Sequence, residues 1–146
     1  MTDSIVVACD HAGLPLKEEV VAALRDAGRE VEDLGVFDTT SVDYPDYAHR
    51  ASELVLEGRH RFGVLICGSG VGMAIAANKH KGIRAVVCSE PYSAAMARRH
   101  NDANVLCMGA RVVGPGLGME ILEAFLGQDF EGGRHVRRVE KLESAC

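Results

Sequence analysis

Short runs of consecutive apolar residues alternate along the chain with stretches in which apolar positions recur every three or four residues. Ser4–Cys9 (SIVVAC), Phe62–Cys67 (FGVLIC) and Ile83–Cys88 (IRAVVC) are runs of the first kind. Uninterrupted apolar character suits strands covered on both faces. Val31–Leu34 is a weaker strand candidate and Asn104–Met108 a fifth strand. Between them the period changes. Leu16, Val20, Leu24 and Ala27 make a helical stripe, with Pro15 suited to its first turn and Gly28 placed to close it. Helices are expected over Tyr47–Leu56, Met73–Lys79, Pro91–His100 and Leu117–Leu126, with a last one from about Arg134 to Ser144. Phe37–Tyr47 reads as a polar loop with Pro45 at its turn.

Five strands alternating with helices predict a parallel, doubly wound sheet. Ligands of such sheets bind beyond the carboxyl ends of the strands, near the point where the winding reverses. The turns Cys9-Asp10-His11, Cys67-Gly68-Ser69, Cys88-Ser89-Glu90 and Cys107-Met108-Gly109 are therefore expected to share one edge.

Composition narrows the partners. A chain of 146 residues makes one domain and can bury a core without staples. The net charge of -5 argues against general attraction to nucleic acid or anionic membrane. No apolar run approaches the roughly 20 residues that span a bilayer. Met1-Thr2-Asp3-Ser4 lacks the basic start of a signal peptide. The five cysteines, at 9, 67, 88, 107 and 146, include no Cys-x-x-Cys pair, so neither a disulfide framework nor a zinc knuckle is expected. The reading is a cytoplasmic, reduced protein.

Within this frame the loop Cys67-Gly68-Ser69-Gly70-Val71-Gly72 stands out. A strand, a glycine turn and a helix present bare backbone N–H groups and a positive helix end to an anion. The loop is neither a Walker sequence nor a regular dinucleotide fingerprint, because the third glycine is Gly72 where Met73 would have to be glycine. Glu90 lies at a distance that could hold a ribose, which keeps a nucleotide-binding module open. Cys67 sits at the strand–helix junction, where the thiolate form is favoured; it also reads as a small buried hydrophobe, like Cys9, Cys88 and Cys107. Four thiols near one edge raise a metal site, but close-spaced pairs and partnered histidines are missing. Asp10-His11 can serve function or simply cap the next helix. His100-Asn101-Asp102 closes a helix, where histidine can favour the negative end or act as an acid–base group facing the active edge. Arg134, Arg137 and Arg138 lie within one turn at the start of the last helix, where positive charge opposes the dipole. They suit phosphate or a solvated face paired with Glu140 and Glu143. Arg111 is a similar candidate.

Taken together these segments resemble the ribose-5-phosphate isomerase B family, which includes galactose-6-phosphate and allose-6-phosphate isomerases. The resemblance runs from about Ile5 to Leu142 through Cys9-Asp10-His11, Asp43-Tyr44-Pro45, Ile66–Gly72, Ala76–Lys79, Gly82–Ala85, His100–Asp102, Gly109–Gly114 and Glu131–His135. It implies an α/β fold: a single-domain, Rossmann-like three-layer sandwich with a five-stranded parallel sheet and a C-terminal helix. It implies an aldose–ketose isomerase working on ribose 5-phosphate and ribulose 5-phosphate, with six-carbon sugar phosphates as the alternative. In that reading Cys67 moves a proton between C1 and C2, His100 opens the ring, and Ser69 with the loop holds the enediolate. Asp10 and Tyr44 would face the sugar, and Gly68, Ser69, Gly70, Val71, Gly72 and Asn101 would bind substrate oxygens. His11, Arg111, Arg134 and Arg138 would hold phosphate. Relatives that lack the cysteine carry glutamate where this chain has Met73, so the cysteine version applies. The resemblance further implies no metal or other cofactor, and a homodimer or dimer of dimers with each site built from two subunits. A mixed-subunit galactose-6-phosphate isomerase is disfavoured because Cys67, His100 and the arginines all occur in one chain.

Overall fold

The computed structural model describes residues 3–145; Met1, Thr2 and Cys146, on which parts of the N-terminal and cysteine readings fall, lie outside the described residues. The strands are β1 (Ile5–Cys9), β2 (Val31–Asp33), β3 (Phe62–Cys67), β4 (Ala85–Val87) and β5 (Val105–Gly109). The helices are α1 (Leu14–Asp26), α2 (Tyr44–Leu56), α3 (Val71–Ala77), α4 (Pro91–Asn101), α5 (Pro115–Leu126) and α6 (Arg134–Glu143). All strand pairs are parallel, in the order β2-β1-β3-β5-β4. This is the predicted class.

The period of two along each strand divides the core into two layers. Ile5, Val7 and Cys9 of β1, Phe62, Val64 and Ile66 of β3, and Leu106 and Met108 of β5 pack under α1, α4 and α5. Val6, Ala8, Leu65, Cys67, Val105 and Cys107 pack under α2 and α3. Both faces are covered, which is why the strands carry unbroken apolar runs rather than alternation.

Several boundaries move from their expected places. Helix α2 begins at Tyr44 instead of Tyr47, because Pro45 sits in the first turn of the helix and not in a loop. Helix α5 likewise begins at Pro115, ahead of Leu117. Helix α3 is shifted toward the glycines, over Val71–Ala77 instead of Met73–Lys79. Strand β4 is only Ala85–Val87, shorter than Ile83–Cys88, because it forms the sheet edge and pairs with β5 alone.

Helix α6 stands outside the three layers and is tied down by polar contacts. Glu143 accepts from Arg84 Nη1 at 2.7 Å and from the Gly82 N–H at 3.0 Å. The expected pairing of the arginine tail with Glu143 is thus corrected: that carboxylate is taken by Arg84. Among the described residues no ion pair engages Arg134, Arg137 or Arg138.

Candidate active site

From β1 the chain turns outward to β2, whereas from β3 it crosses past β5 to β4. The winding therefore reverses between β1 and β3, and the crevice beyond their carboxyl ends is where a ligand is expected. The loops after Cys9 and Cys67 flank it. They are in direct contact, since the Asp10 N–H donates to the Ile66 carbonyl at 3.2 Å. Gly13 follows so closely that a Cβ there would stand 2.4 Å from the Ile66 oxygen.

Cys67 ends β3 with its thiol on the α2–α3 side and 5% of the residue exposed. Its Sγ accepts a hydrogen bond from the Gly70 N–H at 3.1 Å. An amide aimed at sulfur favours negative charge there, since bonds to charged acceptors are the stronger ones. Gly70 makes this geometry possible with φ of 82°, a left-handed conformation that L side chains rarely adopt. The other described thiols differ. Burial pushes Cys9 and Cys88 up to about 11 and Cys107 well above its usual value. They behave as core residues.

Ser69 is exposed, and its Oγ accepts from the Val71 N–H at 3.3 Å. The hydroxyl proton is left free to donate outward. Two amides of the glycine loop are thus engaged within the loop itself, on Cys67 and Ser69. The loop is seated on β5: a Cβ at Gly109 would fall 2.6–2.7 Å from Ser69 backbone atoms. Arg111 lies beside Gly68, whose added Cβ would be 3.4 Å from Nη1. The Tyr44 ring covers Gly72 so closely that a Cβ there would be 2.6 Å from it.

Asp10 is buried and its Oδ1 accepts from the Gly13 N–H at 3.0 Å, which holds the turn into α1. His11 Nδ1 accepts from the Val42 N–H at 3.2 Å, so its remaining nitrogen, Nε2, is the donor. Glu90 is spent on capping: both carboxylate oxygens accept from the Ser93 N–H at 3.0 Å. Its place in the structure is that of the cap of α4, the task seen in place of the ribose contact read from its spacing.

His100 is elsewhere. Helix α4 starts beyond the carboxyl end of β4 and runs back to the amino end of β5. There the Asn104 carbonyl meets the Gly63 N–H at 3.0 Å. The strand from Gly63 to Cys67 covers about 13 Å at roughly 3.3 Å per residue. Within one chain, then, His100 and Asn101 face away from the edge that carries Cys67, contrary to the expectation of a histidine facing the active edge. His100 has its own neighbours. Its ring lies parallel to that of His135, with centroids 4.3 Å apart and planes at 11°. Its Nε2 is 3.5 Å from Glu131 Oε2. Arg134 and Arg138 stand close enough to His135, as does His100, to help hold its imidazole neutral, after burial as the first cause.

The structure therefore sorts the candidates into two groups. Asp10, His11, Tyr44, the Cys67–Gly72 loop and Arg111 gather at the carboxyl edge; His100, Asn101, Arg134 and Arg138 gather at the amino edge. Glu131 and His135 had not been singled out as site residues, because their contacts with α4 span long sequence separations and leave no local signal. One ligand atom each of His100, Glu131 and His135 lies within 4.8 Å of the others, so this cluster is where a cation could be held. Tetrahedral zinc bonds of about 2.0–2.1 Å would need the three drawn closer together. Among the described residues no helix is long and apolar enough to cross a membrane.

Comparisons with known proteins identify the family. A family model described as Ribose/Galactose Isomerase matches residues 5–142. The chain is 54% identical over 138 residues to ribose-5-phosphate isomerase B of Escherichia coli strain K12, covering 94% of this chain and 93% of that one. It is 43% identical over 141 residues to D-erythrulose-4-phosphate isomerase of Pectobacterium atrosepticum, covering 95% and 92%. The solved ribose-5-phosphate isomerase B of Clostridium thermocellum superposes with a TM-score of 0.96 at 46% identity, covering 97% of this chain and 96% of that one. With the fold and nearly the whole sequence in agreement, the chain belongs to the ribose/galactose isomerase family and is an aldose–ketose isomerase.

Proposed function

We propose that the protein interconverts ribose 5-phosphate and ribulose 5-phosphate through a cis-enediolate, in sites completed by a second copy of the chain. The observation that carries this is the Cys67 thiol, held at the winding reversal with the Gly70 amide on its sulfur. His100 gives the furanose ring oxygen its proton as the ring opens. Cys67, as thiolate, then takes the C2 proton and returns it to C1, while the proton of the C2 hydroxyl passes to the C1 oxygen, so that C1 ends as the alcohol and C2 as the carbonyl. The Ser69 hydroxyl and unengaged loop amides stabilise the oxygen on which charge develops. Asp10 and Tyr44 line the sugar. His11, Arg111, Arg134 and Arg138 bind the phosphate and fix the substrate in register.

A second copy supplying the His100 end would place all these groups around one substrate. Exposed apolar residues flank both groups, which supports self-association: Val71, Ile75, Val87 and Tyr92 near the Cys67 edge, and Val136 and Leu142 on α6. A relative named D-erythrulose-4-phosphate isomerase indicates that substrate length varies among similar sequences.

The test is Cys67→Ala. The variant should fold and bind ribose 5-phosphate, yet lose exchange of the C2 proton with solvent by about 10²-fold or more, as expected for a removed acid–base group. Wild-type exchange would exclude Cys67 as the base. Turnover of ribose 5-phosphate against allose 6-phosphate, galactose 6-phosphate and erythrulose 4-phosphate decides the substrate. His100→Asn should impair ribose 5-phosphate, mostly a closed ring, more than ribulose 5-phosphate, which cannot close one.

A further inference from the structure

We infer that Glu131 and His135 are positioning residues for His100: the Glu131 carboxylate fixes the imidazole proton on Nε2, and the His135 ring holds its plane. The inference rests on the reading of His100 as the ring-opening group, but its geometry belongs to the chain by itself.

Glu131 lies in the loop between α5 and α6, and its carboxylate bridges two consecutive residues of α4. Oε1 accepts from Arg99 Nη2 at 3.0 Å, and Oε2 stands 3.5 Å from His100 Nε2. The Glu131 N–H also donates to the Arg99 carbonyl at 3.0 Å, so the backbone as well as the side chain is registered on α4. The Arg99 hydrogen bond holds the Glu131 carboxyl below its usual range. At neutral pH it is an anion beside one nitrogen of His100. A carboxylate in that place selects the tautomer protonated toward it, which leaves Nδ1 with its lone pair.

His135 supplies the second constraint. The residue is 5% exposed, and among the described residues its Nε2 has no hydrogen-bond partner. Its imidazole is pushed down first by burial and then by His100 and Arg134. It therefore stacks on His100 as a neutral ring, with the two centroids 4.3 Å apart. The other charged groups around the pair are Arg99 on α4 and Arg134 and Arg138 on α6, while Asp102 is committed to Arg84 and Arg98.

This arrangement gives ring opening a defined course. Nδ1 accepts the proton of the anomeric hydroxyl and delivers it to the ring oxygen. The bond between C1 and the ring oxygen breaks with its electron pair going to that oxygen, and the hydroxyl pair closes the C1 carbonyl. One proton moves and none is gained or lost. A ring free to flip would present Nε2–H and Nδ1 in turn, and the substrate would meet the right nitrogen only part of the time.

The experiment compares four variants on two readouts. Glu131→Gln, whose amide can present a donor or an acceptor, should lower ribose 5-phosphate turnover about 10- to 100-fold, within the roughly 10²–10⁴-fold range of general acid–base catalysis. Solvent exchange at C1 of ribulose 5-phosphate needs no ring opening and should stay near wild type. Arg99→Gln removes the docking ion pair but leaves the carboxylate, so it should keep ribose turnover. His135→Phe preserves the stack and should keep most activity, whereas His135→Ala should not. Nitrogen-15 spectra of the free enzyme should show His100 protonated on Nε2 in the wild type and as a tautomer mixture in Glu131→Gln. An unchanged spectrum, equal losses on both readouts, or the same loss in Arg99→Gln would overturn the inference. If instead His100→Asn impairs both substrates equally, it is the reading of His100 that fails.

Discussion

At the scale of single residues, chemistry here follows from what each thiol or imidazole touches more than from where it stands in the sequence. Cys9 and Cys67 end their strands, Cys88 follows β4 and Cys107 lies inside β5, and burial pushes the thiols of Cys9, Cys88 and Cys107 upward. Iodoacetamide at pH 8 should therefore alkylate Cys67 ahead of Cys9, Cys88 and Cys107, which mass spectrometry of digested protein would resolve. The glycines are equally particular. Gly109→Ala would place a methyl 2.6–2.7 Å from the Ser69 backbone. Overpacking of that kind costs about 1–3 kcal/mol, and here the loop must move with it. The expected result is a protein that still folds, with a lowered melting temperature and reduced turnover; unchanged kinetics would mean the loop position is not critical.

Elements are held in place by a few polar anchors whose loss should be readable one at a time. Lys17 on α1 is almost fully buried and pairs with both oxygens of Asp33, at 2.9 and 3.1 Å, while Asp33 also accepts from the Gly35 N–H. This anchors the start of the segment that leads to Val42 and Tyr44, and so to His11 and Gly72. Lys17→Met would leave a charge without its partner and should cost about 3–5 kcal/mol in chemical denaturation. Adding Asp33→Leu should recover part of it. Helix α6 depends on Glu143. Hydrogen bonding to Arg84, as the largest cause, holds that carboxyl below its usual value of 4.5. A depressed folded-state value means the contribution is present above about pH 4.5, the unfolded value, and is lost as pH falls through the folded one. Amide exchange in α6 should accelerate under acid before exchange in β1, β3 and β5 does, and Arg84→Gln should produce the same loosening at neutral pH.

For the whole molecule the governing fact is the separation of the two groups of site residues across the sheet. A reaction that needs Cys67 and His100 on one sugar requires a second chain, and that requirement has a direct test. Assayed on ribose 5-phosphate, Cys67→Ala and His100→Asn chains should each be strongly impaired alone, yet mixed by refolding recover on the order of one quarter of wild-type turnover, because random pairing makes half the dimers mixed and each of these has one intact site. Absence of recovery would mean that each site is built within one chain.

Much of this was legible in the sequence, for a physical reason. Unbroken apolar runs spaced by helical periods are enough to specify a parallel sheet covered on both faces, and the residues at its carboxyl edge follow from chain order. The glycine loop, Cys67 and Asp10-His11 were found that way, because strand ends and turns are local features. Boundaries set by Pro45 and Pro115 slipped because a proline that opens a helix reads like one that marks a loop. The tertiary structure alone decided that the Gly70 amide is aimed at the Cys67 sulfur, that Glu90 is a helix cap, and that Glu143 belongs to Arg84. It also decided that His100, near Cys67 in the expected chemistry, lies at the far end of the sheet with Glu131 and His135. Direction along a helix sets that position, and contacts between distant segments set its neighbours; neither leaves a mark in local pattern or composition.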